Sequence, residues 1–203
     1  MGSEMCIRDR VKWGELVLET IRTPDQAAQR IIDWQLPHMA LYQVLFIVSA
    51  FNTLLTAFQA SLSDNPGPMG FALTSPFAFF LLSAGVTVVF IHVVFWVGNT
   101  LGGNGEFSQL LALLIWLEVL RFGAQSLILI ASFLIPALAL LLFLAVVILN
   151  FWLLLNFLRI SLHLNSAWHA LGVLFTAIAG MVVGLTLILS LIGLSSLGIF
   201  TNV

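Results

Sequence analysis

Polar and apolar positions separate along this chain into two unequal zones. Up to Gln35, charged residues alternate with apolar ones at helical spacing. From Met39 onward the chain is almost continuous Leu, Ile, Val, Phe, Ala and Gly, and only Asp64, Glu106, Glu118, Arg121 and Arg159 carry charge. A backbone in so apolar a zone must satisfy its own hydrogen bonds within helices, and lipid is the solvent that tolerates the side chains. The pattern predicts five spans, at about 39–61, 76–101, 107–131, 136–158 and 167–194. The turn formers Ser63-Asp64-Asn65-Pro66-Gly67-Pro68 end the first, and Gly102-Gly103-Asn104-Gly105 closes the second. The stretch 107–158 is too long for one crossing. About 50 residues at ~1.5 Å each would reach ~75 Å, against a hydrocarbon core of ~30 Å. Its one proline, Pro136, preceded by Ser132, places the hairpin. The polar break 159–166 separates the fourth span from the fifth.

Residues 11–35 form the polar lead. Apolar residues at Trp13, Leu16 and Val17, then at Ala27, Ala28, Ile31 and Ile32, fit two short amphipathic helices broken at Thr23-Pro24. Thr23 is expected to cap the second helix, with Pro24 at its first position. The pattern fits a helix lying in the membrane interface and a helix packed on the bundle equally well.

Composition sharpens this picture. Asp, Glu, Lys and Arg make up 8% of residues, where a soluble domain carries about one quarter. The basic residues Lys12, Arg22 and Arg30 precede the first span and Arg159 follows the fourth, so the positive-inside rule puts the N-terminus in the cytoplasm. Trp34, Trp96, Trp152 and Trp168 fall near the same predicted ends, as an interfacial belt would. Cys6 is the sole cysteine, which excludes an intrachain disulfide and a thiolate cluster. Residues 1–10 contain the string MCIRDR, which resembles translated sequencing adapter. They are expected to be an artefactual leader without a functional role.

Few residues could carry chemistry. Glu118 and Arg121 lie mid-span one helical turn apart, and ionisable groups at that depth should face the bundle interior, paired. The pair either locks helix packing or belongs to a proton or ion path. Counting ~1.5 Å per residue puts Glu118 ~16 Å into its span, and His92, Asn150 and Thr176 at ~12–14 Å, with Asn52 near the level of Arg121. A polar layer drawn from all five spans follows from that count. Ser49, Asn52, Thr56 and Gln59 form a stripe expected to face the bundle. Gly172, Thr176, Gly180 and Gly184 recur at strict fours on the last span. This helix-packing face is expected to seat a neighbour within the bundle, with a homo-oligomer seam as the alternative.

Other signals are negative. The glycine loop lacks a phosphate-loop lysine and reads as a turn. His38, His163 and His169 lack metal-ligand spacing. Ser195 and Ser196 are too far from His92 in depth for a catalytic dyad. No basic stripe points to nucleic acid. No catalytic residue, metal or cofactor is expected.

Three stretches together resemble the Yip-domain family of five-span membrane proteins. They are Ile21-Arg22-Thr23-Pro24-Asp25-Gln26-Ala27-Ala28, then Leu101-Gly102-Gly103 with Gly105-Glu106-Phe107-Ser108-Gln109-Leu110-Leu111, and Trp168-His169-Ala170-Leu171-Gly172. The resemblance implies an all-α, five-span integral membrane bundle without enzymatic activity. Eukaryotic members of that family interact with Rab-type GTPases in vesicle traffic, through a long cytosolic N-terminal region that has no counterpart here. The short form implies a bacterial inner-membrane protein. It would act as a scaffold or adaptor in contact with the lipid bilayer and with a membrane or cytoplasmic protein partner. The rival expectation is a small permease or channel subunit using His92, Glu118 and Arg121.

Overall fold

The computed structural model describes residues 13–62, 67 and 70–191. The expected leader, Lys12, most of the loop after the first span, and the C-terminal end with Ser195 and Ser196 lie outside the described residues. The described chain is helical throughout: α1 (Trp13–Arg22), α2 (Pro24–Ile32), α3 (His38–Ser61), α4 (Gly70–Thr74), α5 (Pro76–Thr100), α6 (Phe107–Leu134), α7 (Pro136–Ser161) and α8 (Ala167–Leu191). Five of these, α3, α5, α6, α7 and α8, are long and apolar enough to cross a bilayer. Their outward surfaces carry large apolar side chains such as Phe77, Leu141 and Phe175, which only lipid contact makes favourable. The chain is an integral, multi-pass membrane protein.

Prolines set three of the helix starts. Pro24, Pro76 and Pro136 each occupy the first turn of a helix, where the missing N–H has no intrahelical partner to lose. Pro136 forms the α6–α7 hairpin as expected, but α6 runs on to Leu134. Ser132 does not break it, because its hydroxyl donates back to the Leu129 carbonyl at 2.6 Å. Thr23 departs from expectation too. It makes no side-chain cap on α2, and its hydroxyl turns back to the Glu19 carbonyl at 3.3 Å. The short helix α4, packed on α3 and α5, was not legible in the pattern.

The spans close into a ring. α3 packs on α5 and α6, α6 on α7, α7 on α8, and α8 returns to α5. At the end nearer α1 and α2, the ring is filled by one apolar cluster that includes Leu45, Ile91, Val94, Leu110, Leu114, Phe157 and Val173. The lead is part of this plug and does not lie free in the interface. Leu16, Ala27, Ala28 and Ile31 are buried in the same cluster. Trp13 stacks on Trp116 with ring centroids 6.0 Å apart, and the Trp116 indole donates to the Thr20 hydroxyl at 3.1 Å. Arg159 at the end of α7 reaches Asp25 of α2.

A second joint fastens the α5–α6 loop to the end of α7. The Asn104 N–H donates to the Leu162 carbonyl at 3.1 Å. Gly102 has φ +97°, a left-handed conformation that glycine adopts freely. At Gly105 the close approach is the constraint, since a Cβ there would stand 1.9 Å from the Ser161 carbonyl oxygen. Phe107 follows at once and wedges among His38, His92 and Phe95.

Candidate functional site

Above the plug, toward the α6–α7 hairpin, the ring is hollow. A cavity of about 590 Å³ lies between α3, α5, α6 and α7. Helical spacing explains its walls. Ser49, Asn52, Thr53, Thr56 and Gln59 recur along one face of α3, Ser83 and Thr87 are one turn apart on α5, and Arg121 and Gln125 are one turn apart on α6. Asn150 of α7 completes the lining. Apolar residues, among them Phe79, Ile128, Phe143 and Val147, form the rest. A smaller cavity of about 320 Å³ adjoins it between α5, α6, α7 and α8, and shares Thr87, Arg121 and Asn150. Its lining reaches down to Ile91, Leu114 and Leu117, where the plug begins.

Arg121 is the one charged residue lining the larger cavity. Its Nη2 stands 2.6 Å from Glu118 Oε2; the Arg121 side chain is 52% exposed and the Glu118 side chain only 16%. One ion pair leaves most of the five guanidinium donors facing open space. Across the cavity, Gln125 Nε2 donates to Gln59 Oε1 at 3.0 Å. Three buried polar atoms remain without a hydrogen-bond partner among the described residues: Asn52 Nδ2, Asn52 Oδ1 and Thr53 Oγ1. Leaving such atoms unpaired costs about 1–3 kcal/mol each.

The structure brings together part of the layer expected from depth. Asn52, Arg121 and Asn150 share one cavity, and Glu118 lines the adjoining one. The expected α3 stripe, Ser49, Asn52, Thr56 and Gln59, lines the larger cavity in full. His92 does not join them. Its ring lies beside Phe107 at 4.8 Å, with Nδ1 2.8 Å from the Val88 carbonyl and Nε2 3.4 Å from the Tyr42 hydroxyl. Thr176 is exposed on the outer side of α8 and lines neither cavity. Sequence reasoning missed Thr53, Ser83, Thr87 and Gln125. The signal was available, because Ser83–Thr87 and Arg121–Gln125 are i,i+4 pairs that share a face. No group of three or more potential metal ligands occurs among the described residues.

The small-residue face of α8 also needs correction. The side of α8 that packs within the bundle is Ala170, Val173, Leu174 and Ala177. Gly172, Thr176 and Gly180 are exposed, Gly184 is half-buried, and a Cβ at any of the three glycines would meet nothing within 4 Å. Gly180→Leu and Gly184→Leu should therefore leave the fold of the single chain intact, each neutral or stabilising by up to ~1 kcal/mol. Thermal unfolding in detergent checks this, and loss of folded yield would mean that another helix covers the face.

Fold and cavity define a polytopic α-helical membrane protein with five candidate spans around a partly polar interior. The family model for the Yip1 domain matches residues 18–192, nearly the whole chain, and the protein belongs to that family. No curated protein and no solved structure matches it.

Proposed function

We propose that this protein is a non-enzymatic membrane scaffold or adaptor, oriented with α1 and α2 in the cytoplasm of a bacterial cell and spanning its inner membrane. The observation that carries this reading is the apolar plug. Leucines from α6, together with Ile91, Val94 and Phe157, fill the ring at the α1–α2 end. A permeation path would have to open that packing, and no span is interrupted within the plug. The same packing holds α2 with Asp25, Gln26, Gln29 and Arg30 exposed on its outer face, which suits contact with a cytoplasmic protein.

The test has two arms. Purified protein in liposomes under an imposed gradient should show no proton or cation leak above empty vesicles. A leak that disappears in Glu118→Gln would instead make this a permease and the Glu118–Arg121 pair its path. In cells, a photo-crosslinking residue at Gln29 should give a discrete protein adduct, whereas one at lipid-facing Leu141 should not. Equal labelling at both would remove the scaffold reading.

A further inference from the structure

The larger cavity has three properties that packing alone does not explain. Its polar walls are unsatisfied: Asn52 is 8% and Thr53 4% exposed, both line the hollow, and their side-chain polar atoms have no partner among the described residues. Arg121 is the one charged side chain on its wall, and the Glu118 carboxylate that pairs with it lines the adjoining cavity. Its side toward lipid is thinly covered. α5 and α7 make no extended contact with each other, so α8 must close the gap between them. Yet among the residues of α8 whose burial is described none beyond Ala177 is buried, and Val182, Val183, Leu185 and Leu187 are more than half exposed. Phe143 and Val147, on the α7 side of the hollow, are also about half exposed.

We infer that this cavity binds the phosphate-bearing headgroup of a membrane phospholipid, which enters sideways between α5 and α7. A guanidinium matches phosphate oxygens with paired N–H donors. The Asn52 amide and the Thr53 hydroxyl lie buried just behind the α3 wall without partners among the described residues, and a small turn of each side chain brings two donors and the Asn52 carbonyl oxygen to the headgroup. A volume of about 590 Å³ falls within the range of ~300–1,000 Å³ found for small-molecule sites. The apolar residues Phe79, Phe143, Val146 and Val147 suit acyl chains, which a free phosphate ion lacks. The plug closes the hollow toward α1 and α2, so the lipid is held there and does not cross. This site is independent of the scaffold reading, since a leaking protein could hold a lipid in the same way.

The experiment uses the full purified chain in a nonionic detergent. It is titrated separately with dioleoyl phosphatidylglycerol, with dioleoylglycerol (the same chains without phosphate) and with sodium phosphate. Thermal unfolding reports stabilisation, and native mass spectrometry counts retained lipid. Phosphatidylglycerol should stabilise saturably with one retained copy, and the other two should not. In Asn52→Leu that response should weaken about tenfold or more, while the lipid-free variant melts no lower than the parent because a buried unpaired amide has been removed. Thr53→Val, a near-isosteric change, should weaken it as well, and it decides the matter if Asn52→Leu does not fold. An equal response to dioleoylglycerol, or a full response retained in these variants, would overturn the site. An equal response to sodium phosphate would overturn the lipid as its ligand.

Discussion

Gly105→Ala should yield little folded protein, and what folds should be destabilised by roughly 3 kcal/mol or more. The alanine Cβ would sit 1.9 Å from the Ser161 carbonyl oxygen and 2.7 Å from Leu162 Cα. Both are backbone atoms at the end of α7, so no side chain can rotate out of the way. Relief requires the α5–α6 loop to lift off α7, which would also break the hydrogen bond from Asn104 to the Leu162 carbonyl and shift Phe107. Gly123 provides the control. A Cβ there meets nothing within 4 Å, and its mid-helix position means that alanine should be neutral or stabilising by up to ~1 kcal/mol. Folded yield on size-exclusion chromatography and melting in detergent compare the two. If Gly105→Ala melts with the parent, the loop is not seated against α7.

Arg121→Leu should cost more stability than Glu118→Leu/Arg121→Leu. The single change leaves the Glu118 carboxylate at 16% exposure without its partner 2.6 Å away, at a depth where water is scarce. Stranding one member of a fully buried pair costs about 3–5 kcal/mol. Arg121 is half exposed, so a loss of about 2 kcal/mol is expected here. Removing both charges removes the stranded group and recovers much of that loss. Melting of the two variants side by side tests it, and a double variant that is no more stable than the single one would mean the charges do not support each other.

Particular residues show why some of the site could be read in the sequence and some could not. The spans were legible because a hydrocarbon core of fixed thickness imposes their length. The Glu118–Arg121 pair was legible because a three-residue spacing puts two side chains on one helix face regardless of context. His92 and Thr176 were misplaced because counting residues gives depth along a helix and not direction around it. At 3.6 residues per turn, His92 lies about 140° around from Thr87, and Thr176 about 140° around from Met181. Thr87 and Met181 are the residues that line a cavity. The glycines at 103 and 105 read as a turn, and their reason became visible only when α7, more than 50 residues later, came to rest against them. The outward turn of Gly172, Gly180 and Gly184 depended likewise on which helices became neighbours of α8, information that a single helix does not contain.

The stapling of the lead onto the bundle has a consequence for how the chain is made. The partners that hold α1 and α2 in place are synthesised late: Trp116 follows Thr20 by 96 residues, and Arg159 follows Asp25 by 134. Leu16, Ala27, Ala28 and Ile31, which end up fully or almost fully buried, therefore have no seat while the first two spans are entering the membrane. These two helices are made well before the partners that lock them, and closing so long a loop is intrinsically slow. During that interval their apolar stripe lacks the α6 and α7 surfaces that later cover it. Docking of the lead then marks the moment at which the α6–α7 hairpin has been delivered.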